Sequence, residues 1–488
     1  MSENKTVLML DHEPMMIDRR IVLEAQSLVS AGYRVVLATQ WDGKQPHEEI
    51  ERGMEVLRFP RGTVNKKIHA REKITRWNTV PGNERVELFV RKWFAWLPRY
   101  LQILIYGIIR PEIMAAVVRR RAPRLKRLLG PVLEPLIYGL LIRPCYIWPY
   151  FLVWNGSRGQ NAETVADHMR LNEYQQEIFD FAVQDLRPSI IHAHDLPNLP
   201  LGRKIAKALQ ARLVYDAHEL YPMQFFSSEQ RRTTLAKLER QLIEHVDATI
   251  AVNHQCEEVL RKEYPFLRDV VILSNATESP KNFDPAVKLR LWHETFNLDE
   301  SVQLMVFQGG INPVRNVDHL LRAMAKMPEF IHVGFITYRK DVPYYEALTR
   351  ELGIYDRVHY VFEIPWHEVN NWLASADVGM MPYQATNFNA KISSPNKLFE
   401  FMVAGLPIIA SSELVNVKEA IDIYHVGVYR FFRDDDSYIE AMTEMFDPNL
   451  GGPQRFIPNV MAARSKFTWE NEEPRLLDLY ARLSKEKA

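Results

Sequence analysis

Ser394-Pro395-Asn396-Lys397-Leu398-Phe399-Glu400-Phe401-Met402-Val403-Ala404-Gly405-Leu406-Pro407 reads as a short helix made to meet an anion. Ser394 is a good N-cap, and Pro395 suits the first helical position, where a missing N–H costs nothing. Gly405 and Pro407 supply the stop. The helix start offers unpaired N–H groups and the positive end of a dipole, and Lys397 adds a full charge in the first turn. Just upstream, Asp377-Val378-Gly379-Met380-Met381-Pro382 reads as a strand. The helix therefore opens beyond the carboxyl end of a strand, which is where open α/β sheets bind ligands.

Glu400 lies three residues beyond Lys397, so the two share a face. A cation at a phosphate-ready helix end, with a carboxylate one turn deeper, suits a nucleoside diphosphate. The cation and N–H groups would take the phosphates, and the carboxylate would accept hydrogen bonds from the ribose diol. The plain alternative is a surface Lys–Glu pair worth a few tenths of a kcal/mol. The largely apolar run after Lys397 argues for a buried helix instead.

Working outward, strand and helix patterns alternate through two series. The first has strands at Val7–Asp11, Arg34–Thr39, Met54–Phe59, Ser189–Ala193, Arg212–Asp216, Ala248–Val252 and Val270–Ser274, with helices such as Arg19–Ser30 and Arg232–His245 between them. Polar turn residues from Asn275 to Pro280 mark a linker. The second series runs through Leu304–Gln308, Ile331–Ile336, Val358–Val361, Val378–Met381, Pro407–Ala410 and Val426–Tyr429, and a helical tail covers Pro474–Lys485. Such alternation predicts α/β architecture: two Rossmann-like, doubly wound parallel domains facing across a cleft. The expected boundaries are 1–278 for the first domain, 279–467 for the second, and 468–488 for the closing helix.

At 488 residues the chain exceeds one ordinary domain, and 47% hydrophobic with 25% charged residues is ordinary globular composition. Cys145 and Cys256 make neither a disulfide framework nor a metal cluster, which fits a reducing compartment. The apolar run near the N-terminus is too short for a signal peptide. Formal net charge is zero, yet residues 91–143 carry eleven Lys or Arg and two acids, Glu112 and Glu134. Trp93, Phe94, Trp96, Tyr100 and Tyr106 are interleaved with them. The longest uncharged run, 144–157, has 14 residues, short of the roughly 18 that a membrane span needs. We read the segment at about 65–165 as a helical basic and aromatic insertion lying on an anionic membrane surface. The alternative is an insertion packed on its own protein. A nucleic-acid patch lacks an accompanying motif.

Three further constellations fall at strand ends. Gly309-Gly310, in the turn from Phe307 to Asn316, lets backbone approach a ligand closely, and Arg315 offers a fork to phosphate. In the first half, His192-Ala193-His194-Asp195 and Asp216-Ala217-His218-Glu219 are expected to be loops facing the cleft, with histidines to donate to hydroxyls and acids to orient an acceptor. A lone loop histidine is more often a structural hydrogen bonder. The same residues include metal-ligand types. A His-x-His pair aims both rings one way only on a strand, and this pair is expected to straddle a strand end, so no metal site is assigned. The turn from Asp11 to Arg19 follows the first strand and could line the cleft from the acceptor side, but it carries no signature.

These motifs resemble those of the retaining glycosyltransferases of the GT-B fold, the family-4-like enzymes (glycosyl transferases group 1). The likeness rests on Ser394-Pro395-Asn396-Lys397-Leu398-Phe399-Glu400 with Ala404-Gly405-Leu406-Pro407, on Gly309-Gly310 with Arg315, on His194-Asp195, and on Ala217-His218-Glu219. It implies that Glu400 binds the donor ribose, that Lys397 and Arg315 hold the diphosphate, and that His218 sits beside the donor sugar. It also implies no metal or other cofactor, since cations and a helix end neutralise the leaving group. The closing helix would cross back onto the first domain. Two positions depart from the family pattern. Ile392 stands where a carboxylate eight residues before Glu400 is frequent, and Arg315 with Asn312 replaces an Arg and Lys pair.

The sequence therefore predicts a glycosyltransferase moving sugar from a nucleoside-diphosphate sugar, with retention, to a lipid-linked or membrane-proximal glycan acceptor in surface polysaccharide or glycolipid assembly. Catalytic candidates are His218, Arg315, Lys397 and Glu400. Donor-binding candidates are Gly309, Gly310, Arg315, Ser394, Asn396, Lys397, Leu398 and Glu400. Acceptor-side candidates are His194, Asp195 and Glu219. Expected partners are the donor, the acceptor and an anionic membrane, without nucleic acid, and the expected location is the cytoplasm at the inner face of the membrane. The rivals are a nucleotide-sugar epimerase of the same shape and a membrane-surface binding protein with a decayed site.

Overall fold

A computed structural model describes residues 5–12, 17–41, 43, 46–60, 171–224, 229–280, 288–312, 315–365 and 368–485. The basic and aromatic insertion expected at about 65–165 lies outside them.

The first half is an eight-stranded sheet in the order β3-β4-β2-β1-β5-β6-β7-β8. Its strands are β1 (Thr6–Leu10), β2 (Arg34–Trp41), β3 (Glu48–Glu51), β4 (Met54–Pro60), β5 (Ile190–His194), β6 (Arg212–Ala217), β7 (Ala248–Ala251) and β8 (Asp269–Ile272). β2, β1, β5, β6, β7 and β8 pair in parallel. β3 runs antiparallel to β4 at the edge. Sequence reading missed β3, because Glu48-Glu49-Ile50-Glu51 is an exposed edge strand whose charges hide its extended character.

The second half is a six-stranded parallel sheet in the order β11-β10-β9-β12-β13-β14. It comprises β9 (Gln303–Gln308), β10 (Ile331–Thr337), β11 (Val358–Phe362), β12 (Val378–Met381), β13 (Ile408–Ser411) and β14 (Gly427–Arg430). The central strands are apolar along their length, as strands covered on both faces must be. Each half thus has a switch point, β1 against β5 and β9 against β12, where crossovers diverge and leave a crevice at the carboxyl ends.

The Asn396–Ala404 helix lies directly on β12. A Cβ at Gly379 would come within 2.3 Å of the Phe401 ring, so only glycine permits this approach. The C-terminal helix Trp469–Lys485 leaves the second half and packs on the first. Trp469 Nε1 donates to Ser27 Oγ at 2.9 Å, and Tyr33 Oη lies 3.1 Å from Ser484 Oγ. Leu476, Leu479 and Tyr480 are fully buried. The helix Arg19–Ser30 has the span read from its pattern, with Asp18 capping it by accepting from Arg20 N.

Candidate active site

The cationic residues of the second half collect where β9 ends. Gly309 follows β9 with φ 113, a left-handed conformation that favours glycine. A Cβ on it would lie 3.8 Å from Lys397 Cε, so the glycine turn and the start of the Asn396–Ala404 helix are in contact. Asn312 holds the turn by accepting from Arg315 N at 3.1 Å, so it shapes the loop in place of a second cation. The Arg315 guanidinium lies over the Tyr383 ring at 4.2 Å. Tyr383 in turn donates to Gln308 O at 3.2 Å. Lys397 and Arg315 are thus both seated around the carboxyl end of β9, one through Gly309 and the other through Tyr383. Burial pushes the Tyr383 phenol up, against the pull of Arg315.

The helix start differs from expectation. Pro395, not Ser394, occupies the cap position, no side chain caps the helix, and Asn396 is its first residue. Ser394 serves another purpose. Its hydroxyl accepts from Asn253 Nδ2 at 3.0 Å, and its carbonyl accepts from Asn275 Nδ2 at 2.8 Å. Two asparagines of the first half thus hold the segment that leads into the helix. Leu398 is buried, and its N–H bonds to Pro395 O, so it packs and does not offer a free donor. The N–H groups of Asn396 and Lys397 are left open by helix geometry. Gly405 ends the helix at φ 81.

The surface-pair reading of Lys397 and Glu400 does not hold. Glu400 is buried and pairs with Arg19 of the first half, Nη1 to Oε1 at 3.1 Å. Among the described residues no carboxylate lies within ion-pair distance of Lys397. Ile392 is also buried, with its carbonyl accepting from Asn253 Nδ2 at 2.8 Å, so its side chain is a packing element.

The histidine motifs of the first half are corrected more deeply. β5 extends through His194, so His192 and His194 stand on one face of a strand, not astride its end. Their rings stack at 4.2 Å, and both are buried rather than open to the cleft. They join a polar cluster of Arg20, Glu24, Asp216 and His218. Arg20 donates from Nε to Glu24 Oε1 at 2.8 Å and from Nη2 to Asp216 Oδ1 at 2.6 Å. Asp216 Oδ2 lies 3.0 Å from His218 Nε2 and 3.3 Å from His194 Nδ1. Tyr480 of the C-terminal helix reaches His192 Nδ1 at 2.8 Å. Arg20 Nη1 also donates to Asn275 Oδ1 at 3.3 Å, which continues the network to Ser394.

Glu24, His192, His194 and Asp216 have the donor types and proximity of a metal site, so the strand-end argument against one is void. Arg20 pairs with one oxygen of each carboxylate, while Glu24 Oε2, His192 Nε2 and His194 Nε2 are buried without a hydrogen-bond partner among the described residues. Burial raises Glu24, with Asp216 beside it adding to the rise. Burial acts on Asp216 in the same sense, but Arg20 and His218 hold it well below the usual carboxylate range. Burial opposes the imidazolium of His218, yet Asp216 lifts it to about 10. Burial drives His194 well below the usual histidine range, aided by His192. At neutral pH the cluster therefore holds a charged His218 in front of a neutral His194. The His218 side chain keeps 14% exposure.

Asp195 follows β5 at φ 59, strained for a residue with a side chain. Its Oδ1 is buried and, among the described residues, unpartnered, and burial pushes its carboxyl up to about 7. Glu219 accepts from Asn389 Nδ2 at 3.1 Å and from Gln224, while Asn389 Oδ1 accepts from Leu220 N at 2.8 Å. Its carboxylate thus ties the turn to Asn389 of the second half. Sequence reading missed Arg19, Arg20, Glu24, Tyr383 and Asn389. The signal available for two of them was Arg20 and Glu24 at i,i+4 on the apolar face of a helix, a position for charges only when paired.

Comparison with known proteins follows this division. Residues 166–278 match the model of Glycosyltransferase Family 4, and residues 302–447 match Glycosyl transferases group 1. The chain is 22% identical over 311 residues to the D-inositol 3-phosphate glycosyltransferase of Streptosporangium roseum, covering 60% of this chain and 69% of that one. In fold it is similar to the sucrose-phosphate synthase of Thermosynechococcus elongatus, with TM-score 0.60, 15% identity, and 98% and 99% of the two chains covered. It is also similar to Anabaena HepE, solved with UDP and glucose, with TM-score 0.61, 11% identity, and coverage of 98% and 100%.

Proposed function

Because the chain belongs to the GT-B glycosyltransferases, with a family 4 region followed by a group 1 region, we propose that the cationic residues at the end of β9 hold the diphosphate of a nucleotide-sugar donor. The observation that carries this is the meeting of Lys397 with Gly309, beside Arg315 and the open start of the Asn396–Ala404 helix. In transfer, the bond between the anomeric carbon and the phosphate oxygen breaks, a bond to an acceptor oxygen forms, and the nucleoside diphosphate leaves with added negative charge. Lys397, Arg315 and the helix N–H groups stabilise that charge where it develops. Glu400 receives the ribose hydroxyls. His218 faces the donor sugar as a cation held by Asp216. Transfer proceeds with retention and without a metal, since the cationic side chains supply the neutralisation.

Calorimetric titration with UDP, GDP and ADP tests the site. One of them should bind, and Lys397→Ala and Glu400→Gln should each weaken it about tenfold or more, as loss of a charge-assisted hydrogen bond does. Binding unchanged in both variants would refute the assignment.

The acceptor is a lipid-linked or membrane-proximal glycan. The support is the density of Arg and aromatic residues in 91–143, which suits an anionic headgroup layer at the inner face of the membrane. Among the described residues no helix is long and apolar enough to cross a membrane. One relative is named for D-inositol 3-phosphate, and the basic segment favours a membrane-proximal acceptor here. Reversing the charge of Arg119, Arg120, Arg121 and Arg124 should release the protein from phosphatidylglycerol vesicles, and undiminished binding would rule this acceptor setting out.

A further inference from the structure

The Arg19–Glu400 ion pair joins the first residue of one helix to the middle of another, across the two halves. Its surroundings leave Arg19 little freedom to be elsewhere. Asp18 caps the helix by accepting from Arg20 N, and the Arg20 side chain is fixed by Glu24, Asp216 and Asn275. Asn275 in turn holds the Ser394 carbonyl just before the second helix. Asn275 thus links the two helix starts, and Arg19 meets Glu400 beside that link. Its side chain is 21% exposed, and that of Glu400 is 8% exposed.

The two carboxylate oxygens of Glu400 are not equivalent. Oε1 holds Arg19 at 3.1 Å, whereas Oε2 is buried and has no partner among the described residues. A buried charge without its counter-ion is costly, and neutral hydroxyl groups do not replace a guanidinium. A ribose that displaced Arg19 would leave that cost standing. A ribose that takes Oε2 while Arg19 stays on Oε1 gives the orphan oxygen its partner and keeps the charge compensated.

We propose that Arg19 is a positioning residue for the donor ribose, acting through Glu400, so that the first half of the chain completes a nucleotide site built on the second. This rests on the reading that Glu400 receives the ribose diol. It makes donor affinity depend on the approach of the two halves, and it accounts for a charged side chain at the first position of the Arg19–Ser30 helix.

The test compares a ribonucleoside diphosphate with its 2′-deoxy counterpart, using UDP and 2′-deoxy-UDP, or the GDP or ADP pair if one of those binds more tightly. Wild type should prefer the ribose form by about tenfold, the scale of one hydrogen bond to a charged group. Arg19→Met should reduce that preference to within about twofold, with the ribose form losing more affinity than the deoxy form, which keeps only its 3′-hydroxyl, and Arg19→Lys should restore part of it. Glu400→Gln should abolish the preference, and Arg19→Met added to it should change nothing more. A merely structural role predicts equal weakening of both nucleotides, and that result overturns the inference. So does a preference that survives Arg19→Met, or ribose binding that tightens in it, which would make the pair a latch. If Glu400→Gln leaves the preference intact, the ribose assignment itself has failed, and the Arg19 result is not needed to see it. Arg19→Met leaves buried Glu400 without its counter-ion and should lower the thermal midpoint, so titrations run well below the midpoint of each variant exclude unfolding as the cause.

Discussion

The two halves each gather charge at the carboxyl ends of their strands, but they balance it differently. In the first half, Arg20 and His218 face Glu24 and Asp216 in a buried cluster whose charges are matched internally. In the second, Lys397 and Arg315 are partly exposed and, among the described residues, have no carboxylate beside them. Charges that pair with one another stabilise a shape. An unmatched pair of cations at an open helix end awaits an anion. The same residue types therefore serve mainly as scaffold on one side, with the partly exposed His218 at its edge, and as an anion site on the other, and counting charged groups alone would not separate them.

Mutation at matched positions breaks or sharpens this contrast most strongly. Arg20→Met removes the counter-ion of two buried carboxylates and should cost about 3–5 kcal/mol of stability, read as a lower urea midpoint. Lys397→Met, by contrast, should move stability by less than about 0.5 kcal/mol, as surface substitutions do. Its effect belongs in the chemistry: kcat/KM should fall by about 10²–10³, the scale of losing one donor to a developing anion. If Arg20→Met were harmless, or Lys397→Met strongly destabilising, the division between scaffold and site would be wrong.

A smaller effect follows from His218. Its ordinary value near 6.5 is raised to about 10 in the folded protein, so the folded state binds more protons than the unfolded state between those values. The stability this contributes is complete below about pH 6.5 and is lost as pH rises toward 10. In NMR titration the His218 ring should stay charged through pH 8, and His218→Asn should flatten the fall of stability over that alkaline range. A ring that titrates near 6.5 would show that Asp216 does not hold it.

The smallest expected effect is that of salt. Raising NaCl from about 0.05 M to about 0.5 M should weaken nucleoside diphosphate binding several-fold, because Lys397 and Arg315 are in reach of water. The network around Asp216 is buried, so the pKa of His218 should hardly move under the same change. Equal salt sensitivity in both would erase the distinction.

Much of this could be read from residues in order. The alternation of apolar runs located the parallel strands, and the limits of the Arg19–Ser30 helix followed from its stripe and the Ala31-Gly32 stop. Lys397 and Glu400 were singled out by local chemistry, helix start against apolar run. The reading failed where a partner came from far along the chain. Ser394 looked like a cap because serine usually is one, yet Asn253 and Asn275, more than a hundred positions away, claim it. His192 and His194 looked like loop residues because polar rings in a central strand are rare. Tyr480 and Asp216 partner the Nδ1 atom of each ring, contacts that come from distant parts of the chain.

By itself, then, the order of residues determined the two doubly wound halves and the cationic helix start, because periodicity, capping chemistry and first-turn charge act over a few neighbouring positions. Only the tertiary structure decided that Glu400 answers to Arg19, that Arg20 neutralises the cluster behind His218, and that the C-terminal helix brings Tyr480 to His192. Those choices depend on which side chains meet when buried charges must find partners. That requirement operates in space and leaves no periodic mark along the chain.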